Sequence, residues 1–353
     1  VRIIPGGAAD RQGELKAGYL ITGVGEGTDT PKNVIDMPLH KVVRKIRGKK
    51  GTKVTLRVQK DLKGVPFDIV ITRDKIELKE RAAQSEVKEI VLPDKSKTNI
   101  GIIFLPSFYR DFTGFRNHKN GARSTTKDVK RLIDKMRKKY DIKGLIIDLR
   151  YNPGGSLREA IDLAGLFIPK GTILKVKGKK GNVLYDDLDN GFSYKMPLIV
   201  MINAFSASAS EIFAGAIKDY ERGIVVGQAT YGKGTVQHLL DLSRLIKLQK
   251  IGAIKYTHAK FYRVNGSSTQ KKGVHPDIEY PAFTTQEDYG ESSQKNAMEW
   301  DKVKKAKYEK CSYNLHKILP VLQKKHKNRI ADSELFKELE KYIKWWKEHK
   351  NKK

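Results

Sequence analysis

Between Asn203 and Gln237 the chain reads NAFSASASEIFAGAIKDYERGIVVGQATYGKGTVQ, a serine-rich turn, an apolar helix, an apolar strand and a glycine-flanked lysine. These residue types can carry out acyl transfer, which needs a nucleophilic hydroxyl, a base for its proton and N–H donors for the developing oxyanion. Ser208 would stand at a strand-to-helix turn, where the free N–H groups of a helix start lie beside it, and the Ala209 N–H is the natural donor. Lys233 has no acid adjacent in sequence, so burial could lower its pKa enough to make it a base. Gln237, four residues on, would share a strand face with Lys233 and could orient its amine.

Two plainer meanings compete with that one. Ser208-Ala-Ser-Glu211 fits the capping-box pattern, so Ser208 could simply cap the helix that carries Ile212, Phe213, Ala216 and Ile217. Gly227 to Lys233 resembles the start of a phosphate loop, but Gly234 stands where that loop needs a serine or threonine for magnesium. We therefore set nucleotide binding aside.

The whole chain bounds these options. Its 353 residues allow roughly two to three domains with their own cores. Its one cysteine, Cys311, cannot close an internal disulfide. The longest apolar run, Pro197 to Phe205, is about half of the ~20 residues a membrane-spanning helix needs, which reads as a soluble protein. The eight histidines are scattered and none forms an H-x-x-x-H or H-E-x-x-H pair, so no metal or other cofactor is expected. Net charge is +30, with 17 Lys+Arg against 7 Asp+Glu from Asp301 onward. No nucleic-acid-binding signature accompanies this diffuse charge, so a solvated surface is the better reading than a nucleic-acid partner.

Along the chain, residues 1–75 form a β-rich module. VRII reads as a strand end, Leu39, Val42, Val43 and Ile46 fit an amphipathic helix, and TKVTLRVQ and FDIVITR alternate as strands. The order resembles a PDZ domain, a module that adds a peptide as a strand and captures its terminal carboxylate. The carboxylate loop of such a module would precede Val1, and Gly18-Tyr19 stands where these domains read Gly-Asp. Residues 76–99 read as a charged, strand-bearing linker. Residues 100–283 alternate strand and helix, with a capping box at Thr125 to Asp128, the buried strand GLIIDL and the turn Arg150 to Gly155. Residues 284–353 read as a basic helical extension.

The segments GLIIDLRYNPGG, FSASASEIFAGAIKDY, VVGQATYGKGTVQ and KFYRVNGSSTQKKGVHPDI resemble the C-terminal processing peptidases, the family of bacterial tail-specific proteases. The resemblance implies an α/β multidomain fold with a PDZ-like module, a ClpP/crotonase-like catalytic core with a β-region, and a helical tail. It also implies that the middle serine of SASAS, Ser208, is the nucleophile, Lys233 its base and Gln237 the lysine's partner. The second oxyanion donor would be Gly154 or Gly155. Such enzymes are endopeptidases that need no metal or nucleotide and take unfolded or tagged proteins by their apolar C-termini. Gram-negative members act in the periplasm, where a lipoprotein adaptor can deliver substrates. The alternative class is a non-catalytic PDZ scaffold or basic nucleic-acid-binding adaptor on the same fold. On the catalytic reading, Ser208→Ala abolishes cleavage while Ser206→Ala and Ser210→Ala retain much of it.

Overall fold

The structure, a computed structural model, describes residues 3, 7–61, 63–74, 82–117, 121–179, 181–187, 193–242, 252–311 and 313–349. Two compact units divide the chain, Val1–Ala82 and Ala83–Lys353. The expected VRII strand falls outside the described residues apart from Ile3, which lies in no strand or helix.

In the first unit, β1 (Leu20–Glu26), β2 (Lys32–Asn33), β3 (Lys53–Gln59) and β4 (Phe67–Thr72) form an antiparallel sheet in the order β2-β1-β3-β4. Helices α1 (Ala8–Gln12) and α2 (Leu39–Ile46) accompany it. Alternation in the strands puts Val24, Val54, Leu56, Val58, Ile69 and Ile71 into one core, against which Val42 and Ile46 of α2 pack. Buried Arg73 ties the unit together, donating to both oxygens of Glu26 at 2.6 and 2.7 Å and to the Ile46 carbonyl at 2.8 Å.

The second unit is organised by a sheet of β5 (Gln84–Val91), β6 (Lys97–Phe104), β7 (Gly144–Asp148), β10 (Leu198–Ile202), β11 (Ile224–Gly227) and β14 (Ile278–Glu279). Spatial order runs β14-β11-β10-β7-β6-β5; all neighbours are parallel except the edge strand β5. Part of the stretch read as a linker is therefore hydrogen-bonded into this sheet, because Gln84–Val91 pairs along its whole length with Lys97–Phe104. Each parallel step moves in the same direction, so right-handed connections place their helices on one face. Those helices are α4 (Thr125–Tyr140), α5 (Leu157–Gly165) and α6 (Ala209–Asp219). Short α3 (Phe112–Arg116) lies in the connection between β6 and α4.

A second, antiparallel sheet holds β8 (Gly171–Gly178), β9 (Gly181–Asp187), β12 (Thr235–Asp241) and β13 (Ala253–Arg263) in the order β12-β13-β8-β9. The C-terminal segment contributes α7 (Gln286–Tyr289), α8 (Leu315–Asp332) and α9 (Glu334–His349). Helix α8 covers the short strand β14. Its Gln323 side chain donates to the Asp277 carbonyl and His326 to that of Glu279, each at 2.9 Å. Among the described residues, no helix is long and apolar enough to cross a membrane.

The cap of α4 lies one residue earlier than the pattern suggests. Ser124 is the N-cap and accepts from the Lys127 N–H, while the Thr125 hydroxyl donates instead to the Tyr109 carbonyl at 3.0 Å. Nearby, the fully buried Glu159 of α5 accepts from Ser124 Oγ, Thr126 N and Thr126 Oγ1 at 2.8, 2.9 and 2.8 Å, and from Arg110 at 2.7 Å. It locks the starts of α4 and α5 to each other. Glu159→Ala strands these donors in a dry site and is expected to lower stability by about 3 kcal/mol, read as a lower denaturant midpoint.

Candidate active site

Parallel strands deliver their connecting loops at their C-terminal ends, where open α/β sheets build sites. Three such loops follow adjacent strands here: 149–155 after β7, 203–208 after β10 and 228–234 after β11. They contain every residue singled out from sequence except Ala209, the first residue of α6, and Gln237, which lies on β12.

Asn152, wholly buried, joins the first loop to the second. Its side chain donates to the Leu105 carbonyl at 2.8 Å, and its own carbonyl accepts from Ala207 N and Ser210 Oγ, both at 3.0 Å. Ser206, also wholly buried, donates through Oγ to the Leu149 carbonyl at 2.8 Å and accepts the Asn203 N–H at 3.0 Å. Its carbonyl receives the Tyr231 N–H of the third loop at 3.0 Å. The outer serines of SASAS are thus loop fasteners turned inward, and only Ser208 of the three is partly exposed.

Ser208 stands immediately before α6 with φ 56° and ψ −110°, a left-handed backbone that strains a residue with a Cβ. The strained turn lifts its side chain into a cavity of about 610 Å³. The strong bond at the capping-box positions is the return bond, from Ser208 N to Glu211 Oε2 at 2.7 Å. Ser208 Oγ faces the Glu211 N–H in the capping-box arrangement without a well-formed cap hydrogen bond, since that N–H donates to the Ser208 carbonyl at 2.9 Å. The Ala209, Gly155, Lys233 and Gln237 residues line the same cavity, with apolar walls from Leu157, Ile161, Ile212 and Phe261.

Glu211 is the residue whose importance the sequence pattern understates. It is fully buried and accepts four hydrogen bonds: Thr230 Oγ1 at 2.6 Å and Gly232 N at 2.7 Å on Oε1, Ser208 N at 2.7 Å and Lys233 N at 2.9 Å on Oε2. The backbones of Ser208 and Lys233 therefore meet on one carboxylate oxygen. Burial pushes the Glu211 carboxyl up to about 7, against the pull of the four donors. The Thr230 hydroxyl also accepts the Val274 N–H at 2.7 Å, which leaves its proton for Glu211.

Lys233 is half-buried, and its Nζ donates to Gln237 Oε1 at 3.0 Å. The contact forms although Lys233 lies in the loop before β12 and a bulge at Val236/Gln237 interrupts the strand's alternation. Desolvation lowers the Lys233 pKa below its ordinary 10.5, helped by the repulsion of Lys255 and opposed by Glu291 and Glu211. The Lys233 carbonyl accepts from Thr269 Oγ1 at 3.2 Å, so the main chain of this residue is held on both sides.

The two candidate oxyanion glycines differ. Gly154 N–H donates to Asn152 Oδ1 at 2.9 Å and is spent within its own turn. Among the described residues, the N–H groups of Gly155 and Ala209 have no protein acceptor. Gly154 matters instead through its missing side chain, since a Cβ would sit 2.9 Å from Ser208 Cβ and 3.0 Å from Ala209 N, at a φ of +97°. No group of three or more metal-ligating side chains occurs among the described residues.

Fold and site together define an α/β protein with a strained serine, a half-buried lysine and two free N–H groups converging at the ends of parallel strands. The chain belongs to peptidase family S41, whose model matches residues 99–280. Residues 1–59 match the PDZ domain model and residues 284–353 the C-terminal domain of tail specific protease. It is 39% identical to a tail-specific protease of Haemophilus influenzae over 99% of this chain and 48% of that protein. It is also 34% identical to a carboxy-terminal-processing protease of Bartonella bacilliformis over 70% of this chain and 51% of the relative. The chain thus spans about half the length of these curated relatives. The solved photosystem II D1 C-terminal processing protease shares the fold, with a TM-score of 0.51 and 24% identity over 78% of this chain and 66% of that one.

Two outcomes follow from Glu211. Glu211→Gln places an NH₂ group against N–H donors, so, on the proteolytic function proposed below, hydrolysis of an unfolded protein should fall about 100-fold or more with the fold retained by circular dichroism. For the parent chain, the rate should rise with pH, first as Glu211 loses its proton near about 7 and then as Lys233 does so below 10.5.

Proposed function

We propose that this chain carries the catalytic centre of a serine endopeptidase in which Ser208 attacks and neutral Lys233 is the base. The observation that carries the reading is the convergence of Ser208 N and Lys233 N on Glu211 Oε2, with Lys233 Nζ held by Gln237 Oε1 in the cavity that Ser208 lines. Lys233 takes the Ser208 hydroxyl proton as Oγ adds to the scissile carbonyl, and the N–H groups of Ala209 and Gly155 receive the oxyanion. Collapse of the tetrahedral species breaks the C–N bond while the lysine returns the proton to the leaving amine. Water then attacks the acyl-serine, giving its proton to Lys233, and collapse of this second tetrahedral species breaks the C–Oγ bond as Lys233 returns the proton to Ser208 Oγ and the new carboxyl end leaves. The positive end of the α6 dipole adds to the stabilisation of the oxyanion.

Family membership and the PDZ match support substrates that are unfolded or tagged proteins taken by apolar C-termini. On the same family resemblance we propose that the enzyme acts in a bacterial periplasm, with a lipoprotein adaptor as delivery partner. Neither a metal nor a nucleotide has a part in this mechanism.

The test compares the chain with its Ser208→Ala, Lys233→Ala and Lys233→Arg variants on an unfolded protein bearing either an apolar or a charged C-terminus, with fragments read by mass spectrometry. All three variants should lose more than about 10⁴-fold in rate, arginine failing because a guanidinium stays charged. The apolar-tailed protein should be cut faster. Full activity in Ser208→Ala, or in Lys233→Arg, would sink the assignment.

A further inference from the structure

Three aromatic side chains stand on the outer flank of the catalytic loops. Tyr151 and Phe205 stack with ring centroids 5.3 Å apart and planes 20° from parallel. Tyr289, at the end of α7, tilts against Phe205 at 5.3 Å and 59°. Tyr151 is 66% and Tyr289 59% exposed, so the stack offers ring faces to solvent instead of filling a core.

Their placement is enforced. Tyr151 has a φ of 64°, a left-handed backbone for a bulky residue, in the turn that leads to Gly155. Its N–H donates to Asn203 Oδ1 at 3.0 Å, and the Phe205 N–H donates to the same oxygen at 3.1 Å. Asn203 is buried, so a single fixed amide oxygen sets the backbones of both aromatics. Strain and exposure at one bulky residue, held by a buried neighbour, mark a position kept for contact with something outside the chain's own core.

Building on the proposed proteolytic function, we propose that Tyr151, Phe205 and Tyr289 form a stacking platform for an aromatic side chain of the extended substrate polypeptide, about three residues from the scissile bond. The distance follows from the chain itself. Phe205 precedes Ser208 by three residues, at most about 11 Å of backbone, and an extended substrate advances about 3.3 Å per residue. Continuity also favours the substrate as occupant, because Phe205 shares a turn with Ser208, and Tyr151 shares one with Gly155, and both of those residues line the cleft. Unfolded chains expose the aromatic residues that folded proteins bury, so a flat aromatic face beside the cleft suits them.

The probe is a series of fluorescein-labelled Ala/Ser peptides in which a single tryptophan is moved along the sequence, bound to the full chain carrying Ser208→Ala and read by anisotropy. One tryptophan position should tighten binding about five- to tenfold over the tryptophan-free peptide. That gain should vanish when Tyr151→Ala or Tyr289→Ala is added and survive Tyr151→Phe. An equal gain in Tyr151→Ala, or no favoured position, overturns the platform. So does tighter binding of every peptide by Tyr151→Ala, which would mean that another part of the chain or a second copy covers the face. Loss of cleavage by the parent chain would sink the endopeptidase reading and leave this binding result standing. Normal cleavage with position-independent binding would sink the platform alone.

Discussion

One buried carboxylate governs the site. Glu211 accepts from Ser208, Thr230, Gly232 and Lys233, joining the start of α6 to the loop after β11 through both of its oxygens. A charge taken out of water is tolerable only when its lone pairs are filled, and here two of the four filling groups are the main chains of the proposed nucleophile and base. The same contact therefore meets the cost of burying Glu211 and fixes the backbones of Ser208 and Lys233 relative to each other. Because Glu211 takes backbone N–H groups, it engages neither the Ser208 hydroxyl nor the Lys233 amine, which Gln237 Oε1 holds instead.

Around that contact the loops brace one another. Asn152 and Ser206 fasten the glycine turn to the serine turn, the Tyr231 N–H ties the serine turn to the lysine loop, and Gln270 holds Gly234 through its side-chain oxygen at 2.9 Å. These bonds sustain the left-handed backbone at Ser208, which would relax in a looser setting. The sheet makes the arrangement possible because β7, β10 and β11 are adjacent and parallel, so their C-terminal loops open side by side.

Much of this was readable in the chain. Apolar runs gave the buried strands, helical spacing gave α2, a capping pattern gave the start of α4, and the serine, lysine and glutamine of the candidate site were proposed from residue type and separation. What escaped depends on partners distant in sequence. Glu211 looked like an ordinary helix-cap partner because its other donors lie 19 to 22 residues further on. Ser206 and Ser210 looked like spare hydroxyls because inward and outward serines share one composition, and only the turn geometry separates them. Gly154 and Gly155 could not be distinguished until Asn152 Oδ1 was seen to take one of their N–H groups. A strand was expected within residues 76–99, but not that Gln84–Val91 pairs into the sheet, since an exposed edge strand has no apolar face to betray its place.

The account rests on Lys233 being able to lose its proton in the folded chain. Heteronuclear NMR of the Lys233 side-chain carbon and nitrogen across a pH series, assigned by comparison with Lys233→Arg, measures this directly. The account predicts a titration clearly below the ordinary lysine value of 10.5, set apart from the bulk of the surface lysines. A Lys233 signal that titrates together with those surface lysines would contradict it.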